Sequence, residues 1–148
     1  MNGRILAIHI AAEEGGAPQP VPQVRVVEGS GLEGDRYTRL DGAEPKEQVT
    51  FIEREALDAL HADYGIQLGA AESRRNILTE GVALNHLVGR EFRAGDCRFI
   101  GRELCEPCGY LEKQTQRGVI KGLIHRGGLR AEILQGGTLR PGDAVEPA

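Results

Sequence analysis

Apolar and polar positions alternate in several short runs along the chain, and only one long stretch has helical spacing. Arg4 to Ile10 alternates in a way that predicts a strand, and Gln23 to Val27 predicts a second. Between them Pro18, Pro20 and Pro22 stand at alternate positions, which makes an extended loop that cannot lie inside a sheet. Glu28 to Pro45 has no helical period and contains four glycines and a proline, so it reads as a long loop of the functional kind. Gln48 to Ile52 could end a strand, but Thr50-Phe51-Ile52-Glu53 also matches a capping box. Ile52, Ala56, Leu57, Leu60 and Tyr64 then keep helical spacing up to Gly65, so a helix over Thr50–Tyr64 is expected to be the longest. Arg75–Thr79, Glu91–Arg93, Cys97–Leu104 and Leu129–Leu134 predict strands, with a turn at Gly136-Gly137 and a last short strand after Pro141-Gly142-Asp143. Short helices are expected over Ala83–Val88, Pro107–Gln114 and Val119–Ile124. Many short strands with one good helix favour a β-rich barrel or sandwich with helices in its connections.

Composition narrows the class of function. The 148 residues suit one domain that buries its own core. A formal net charge of −4 argues against a protein that coats nucleic acid. No apolar run approaches the roughly 18 residues of a membrane span, and the first residues run into a strand with no leader-like apolar region. A cytoplasmic protein is expected. Glycine, at 21 residues, implies many tight turns, and the basic set is 15 Arg against 3 Lys. Arginine suits bidentate binding of carboxylate or phosphate, although a codon bias would give the same ratio.

Gly29-Ser30-Gly31-Leu32-Glu33-Gly34 spells the dinucleotide fingerprint but opens no helix, so that reading fails its context test. What remains is a glycine loop carrying Asp35 and Arg36, either a set of turns with an ion pair or a loop offering donors to an anion. Arg74 and Arg75 precede Asn76 at a strand start. In extended backbone the two arginines face opposite sides. The three cysteines are Cys97, Cys105 and Cys108. An odd count without an export signal argues against disulfides. Cys105-Glu106-Pro107-Cys108 lacks the second ligand pair of a zinc site and the βαβ context of a redox dithiol. Pro107 suits a helix start, where unpaired N–H groups favour a thiolate, so Cys108 is the best reactive or metal-ligating thiol. Cys97 reads as structural, and Cys105 could be core. His125-Arg126-Gly127-Gly128 is a polar turn that gains interest only if folding brings it near Cys108.

Taken in order, these pieces resemble the MOSC domain, the C-terminal domain of molybdenum-cofactor sulfurases, which also occurs alone in bacteria. The resemblance rests on Gly31-Leu32-Glu33-Gly34-Asp35-Arg36, Gln48-Val49-Thr50-Phe51-Ile52-Glu53, Arg75-Asn76-Ile77, Gly81-Val82-Ala83-Leu84, Cys105-Glu106-Pro107-Cys108, Arg126-Gly127-Gly128-Leu129 and Gly136 to Asp143. It implies a mainly β fold, a closed and mostly antiparallel barrel with inserted helices. It also implies that the cysteine matching Cys108 carries sulfur as a persulfide or ligates molybdenum. Larger relatives have an additional N-terminal barrel that helps hold the pterin, and a pyridoxal-phosphate desulfurase domain. Neither is expected here, so no pyridoxal phosphate site is expected and a separate desulfurase would be the sulfur donor.

The function expected is therefore a molybdenum-cofactor or sulfur-handling protein, a sulfur transferase or a component of a molybdenum-dependent oxidoreductase. Cys108 would be both the catalytic atom and the metal ligand. Asp35, Arg36, Arg75, Asn76, His125 and Arg126 would hold an anionic ligand such as a molybdopterin phosphate. Arg36 should point toward the thiol of Cys108. No nucleic acid or membrane partner is expected. The rival reading is a non-catalytic module that binds a small anion or a partner and keeps Cys108 inert.

Overall fold

The computed structural model describes residues 3–36 and 42–148. Eleven strands are described: β1 Gly3–Ile10, β2 Gln19–Pro20, β3 Val24–Val27, β4 Gly31–Leu32, β5 Val49–Glu53, β6 Ile77–Glu80, β7 Glu91–Ala94, β8 Cys97–Leu104, β9 Leu129–Gln135, β10 Gly137–Leu139 and β11 Ala144–Pro147. The described α-helices are α1 Arg54–Tyr64, α2 Ala70–Ser73, α3 Gly109–Gln114 and α4 Val119–Leu123. The order β11-β7-β8-β9-β5-β6-β1 closes on itself, because β1 also pairs with β11 through Gly3↔Val145. A small sheet of order β10-β3-β4 flanks this barrel.

The expected barrel is present, and it is mixed. Among the described residues β5 and β6 run parallel, with Phe51 opposite Ile77, while the other barrel pairings are antiparallel. Parallel neighbours need a crossover, and α1 and α2 supply it. The expected helix over Thr50–Tyr64 is corrected by the same fact. It starts at Arg54, and Val49–Glu53 is a strand. Pairing with β9 and β6 overrides the capping-box pattern. Glu53 sits at the N-cap in extended backbone with no side-chain cap, and its carboxylate accepts the Leu84 N–H at 3.0 Å. At eleven residues α1 is the longest described helix, and Gly65 ends it at φ 66°.

β5 also explains how the two cores are divided. Phe51 points into the barrel, where it meets Phe92 and Phe99 edge-on at 5.3 Å. Its neighbour Ile52 points out, under α1, α3 and α4, into a second cluster with Leu60, Leu111, Val119 and Leu123. A strand apolar on both faces looks like part of a helix in sequence. The expected turn at Gly136-Gly137 leads instead into β10, which pairs with β3. The expected helix over Pro107–Gln114 begins at Gly109, and the short helix expected near Ala83–Val88 is a 3-10 turn over Leu84–Leu87. Of the long glycine loop, residues 37–41 lie outside the described residues.

Candidate functional site

A cavity of about 490 Å³ opens where the glycine loop, the start of β6 and the start of α3 meet. Its size is that of a site for a small organic molecule. Asp35, Arg36, Arg75, Asn76 and Cys108, five of the residues singled out by sequence, line it.

Cys108 is exposed and forms the N-cap of α3, in extended backbone at φ −129° and ψ 169°. Pro107 therefore lies before the helix and not in its first turn. At six residues α3 is too short to act as a strong dipole, so the argument for Cys108 rests on its exposure at the cavity and not on a helix start. Cys105 lines the same cavity but is 2% exposed. Cys97 is fully buried between β7 and β10. Burial, and then the charges of Asp96 and Asp143, push its thiol up to about 11. The expectation that Cys97 is structural fits this placement.

Arg75 is the electrostatic centre of the wall. It is 8% exposed, and its guanidinium donates to four backbone carbonyls: Gly127 at 2.8 Å, Ser73 at 3.1 Å, Cys105 at 2.9 Å and Glu106 at 3.3 Å. Among the described residues it has no carboxylate ion-pair partner, although Glu14, Asp35 and Glu47 line the same cavity, so carbonyl dipoles alone meet its charge directly. A buried charge of this kind calls for an anion. Arg75 also clamps the Cys105–Glu106 segment that leads to Cys108.

Asn76 has a different task. Its Oδ1 accepts the Thr50 N–H at 3.1 Å and the Thr50 hydroxyl at 3.2 Å, and its Nδ2 donates to the His9 carbonyl at 3.1 Å. It latches β1, β5 and the start of β6 together, and its side chain is largely engaged within the fold. Asp35 is buried, and its Oδ1 accepts the Ala11 N–H at 2.9 Å, which anchors the glycine loop to the end of β1. The Arg36 N–H donates to the Ala11 carbonyl at 2.8 Å, and its side chain lines the cavity with Cys108.

His125 and Arg126 are not among the residues lining this cavity. His125 is exposed, adopts the left-handed region at φ 61°, and binds Glu106 twice: its N–H meets one carboxylate oxygen and its Nδ1 the other, each at 2.7 Å. Arg126 is exposed. Their turn matters to the site through Gly127, which is buried against the Cys105 carbonyl and the Arg75 guanidinium with no room for a side chain.

Arg74, Arg130 and Tyr110 also line the cavity, and the sequence pattern assigns none of them to the site. Arg74 caps α2 in the left-handed region at φ 64°, donates to the Gly16 carbonyl at 2.9 Å and stands 6.0 Å from the Tyr110 ring centre. That conformation lets both Arg74 and Arg75 reach one cavity, where extended backbone would have sent them apart. Arg130 lines the cavity from β9, opposite Thr50 in the strand register. Tyr110, half exposed, stands two residues after the thiol. A basic residue in mid-strand and a tyrosine beside the cysteine were the available signals, but neither has a spacing that marks it out.

Among the described residues no group of three or more His, Cys, Asp or Glu is arranged to hold a metal ion. No described helix is long and apolar enough to cross a membrane.

A model of the MOSC domain matches residues 37–146. No curated protein matches the sequence. Among solved structures, the YuaD protein from Bacillus subtilis superposes with a TM-score of 0.84 at 14% identity, over 99% of this chain and 96% of that one. YiiM from Geobacillus stearothermophilus superposes at 0.75 with 18% identity, over 99% of this chain and 75% of its own. YiiM from Escherichia coli gives 0.71 with 17% identity, over 98% and 69%. At these identities the likeness concerns the fold.

Proposed function

The chain belongs to the MOSC domain family, and we propose that it handles the molybdenum cofactor or its sulfur through Cys108. The observation that carries this reading is the pairing of an exposed thiol with a buried guanidinium that has no ion-pair partner among the described residues, on one cavity. The thiolate is a soft ligand suited to molybdenum. The arginines suit the phosphate of a pterin. When bound, such a cofactor would supply the metal centre. This chain's own residues would bind and orient it: Cys108 at the metal, Arg36 and Arg75 toward the phosphate, with Arg74 and Arg130 beside them.

In the sulfur-carrying form of this reading, the Cys108 thiolate attacks the outer sulfur of a donor persulfide. A persulfide forms on Cys108 and the donor leaves as a thiolate. A desulfurase is the donor this calls for, and a reducing cytoplasm would keep all three thiols free. Asp35 and Asn76 act by holding the cavity's shape, and the His125–Arg126 turn acts only indirectly, through Gly127 and the contact with Glu106.

Intact-mass spectrometry and molybdenum analysis of protein purified from a molybdenum-competent host test this reading. Wild type should retain a cofactor or one added sulfur atom, and Cys108→Ser neither. Protein with no metal and no added sulfur, and with a thiol at 108 inert to alkylation, would leave the anion-binding module as the better reading.

A further inference from the structure

Residues 113–126 form the end of α3, all of α4 and the turns beside them, and they contain no Asp or Glu. Lys113, Arg117 and Lys121 are exposed there, and the run continues into exposed His125 and Arg126. Six basic side chains elsewhere, Arg4, Arg25, Arg54, Arg98, Arg102 and Arg130, each stand by a carboxylate. The side chains of Lys113, Arg117 and Lys121 have no such partner among the described residues. In a chain of net charge −4, an unpaired basic run is the exception.

The same face exposes apolar surface. Tyr64, Tyr110 and Ile124 are 46%, 51% and 52% exposed, three of the four large hydrophobic side chains that are exposed among the described residues. Tyr64 lies over α4, where a Cβ at Gly122 would stand 3.3 Å from its ring. Aromatic and aliphatic groups beside basic ones, over a buried cluster of Leu111, Val119 and Leu123, have the make-up of a protein interface. Cys108 caps the first helix of this face.

We propose that the α3–α4 face is a docking surface for an acidic protein, held there beside Cys108. Charge complementarity selects an acidic partner, and the exposed Tyr64 and Ile124 select a protein over a nucleic acid. Away from the patch the chain is more acidic than its net charge shows, and it would repel a long polyanion reaching past the three cations. This inference rests on Cys108 being the working thiol.

The test uses two peptides of equal length, one rich in Glu and one rich in Gln, each with a single cysteine activated as a mixed disulfide with thionitrobenzoate. The Cys108 thiolate attacks the peptide sulfur, forms a protein–peptide disulfide and releases coloured thionitrobenzoate. Cys108→Ser gives the background. The acidic peptide should react about tenfold faster at low ionic strength, and salt should erase the advantage. The triple variant Lys113→Glu, Arg117→Glu, Lys121→Glu should lose the advantage while its rate with the neutral peptide stays within about twofold of wild type. Arg93→Glu, an exposed charge change on β7 outside both the cavity and the patch, should keep it. Equal rates for the two peptides would overturn the proposal, as would an advantage that survives in the triple variant. Retention of a DNA duplex by the patch with no preference for the acidic peptide would replace the protein partner with a nucleic acid. If neither peptide reacts, the thiol reading and this proposal fail together.

Discussion

The two walls of the cavity are built on opposite terms. On the barrel side, Arg75 and Asn76 are buried and their side chains are tied to carbonyls and to Thr50 from several strands and turns. On the helical side, Cys108 and Tyr110 are exposed, and they sit on a six-residue helix. On the function proposed above, the barrel wall would fix where a ligand's charge lies, and the helical wall would present the reacting thiol. A group tied by internal hydrogen bonds holds geometry well and acts on a ligand through its fixed charge. Chemistry therefore falls to the side chain with the fewest attachments.

The largest effect should come from the barrel wall. Arg75→Met leaves four carbonyls without their donor and should cost about 3 kcal/mol or more in denaturant unfolding. The same variant should make Cys105 open to alkylation, because the segment it clamps is released. If Cys105 stays protected, the clamp is not what fixes that segment. Asn76→Ala should cost about 2 kcal/mol, since it strands the His9 carbonyl and the Thr50 N–H.

Next in size is a pH effect at the back of the same latch. Burial holds His9 below its ordinary value of 6.5, and its Nδ1 has no hydrogen-bond partner among the described residues. The unfolded chain therefore takes up a proton at a higher pH than the folded one does. Stability is intact above about pH 6.5 and falls as the pH drops through that value toward the folded one. His9→Leu should remove this component of the acid slope. A chemical-denaturation series from pH 8 to pH 5, unchanged in slope by the variant, would remove His9 from the account.

The smallest effect on stability should come from the helical wall. Cys108→Ser should shift the unfolding free energy by less than about 0.5 kcal/mol, as expected of an exposed side chain. Reaction with iodoacetamide under native conditions should vanish in the same variant, because Cys97 and Cys105 are buried. A stability loss comparable to that of Arg75→Met would contradict the contrast between the walls.

The barrel class and most strands were legible in the sequence because each depends on local pattern. Alternation at Arg4–Ile10 and Cys97–Leu104 marks half-buried strands wherever they end up. The failures occur where tertiary pairing competes with local preference. Thr50 to Glu53 carries a helix-start pattern, yet all four of its backbone positions pair with β9 or β6. Arg74 takes a left-handed conformation that no residue type near it announces. His125 was grouped with the ligand-binding set, yet Glu106 engages both its backbone N–H and its ring, away from the residues that line the cavity. Each outcome depends on a partner far away in sequence.

The pairing of Gly3 with Val145 joins β1 to β11 and completes the ring of strands. Its two members are nearly a full chain length apart, so this contact carries the greatest loop-closure cost of any in the barrel. The hairpin of β7 and β8, by contrast, turns through Ala94 and Cys97 and can form as soon as it is synthesised. The ring of strands therefore cannot close during synthesis until β11 has emerged, and until then the part of β1 that β11 covers has no strand partner on that edge. During that interval an unpaired edge is available to a neighbouring chain, and the four residues of β11 withdraw it from aggregation.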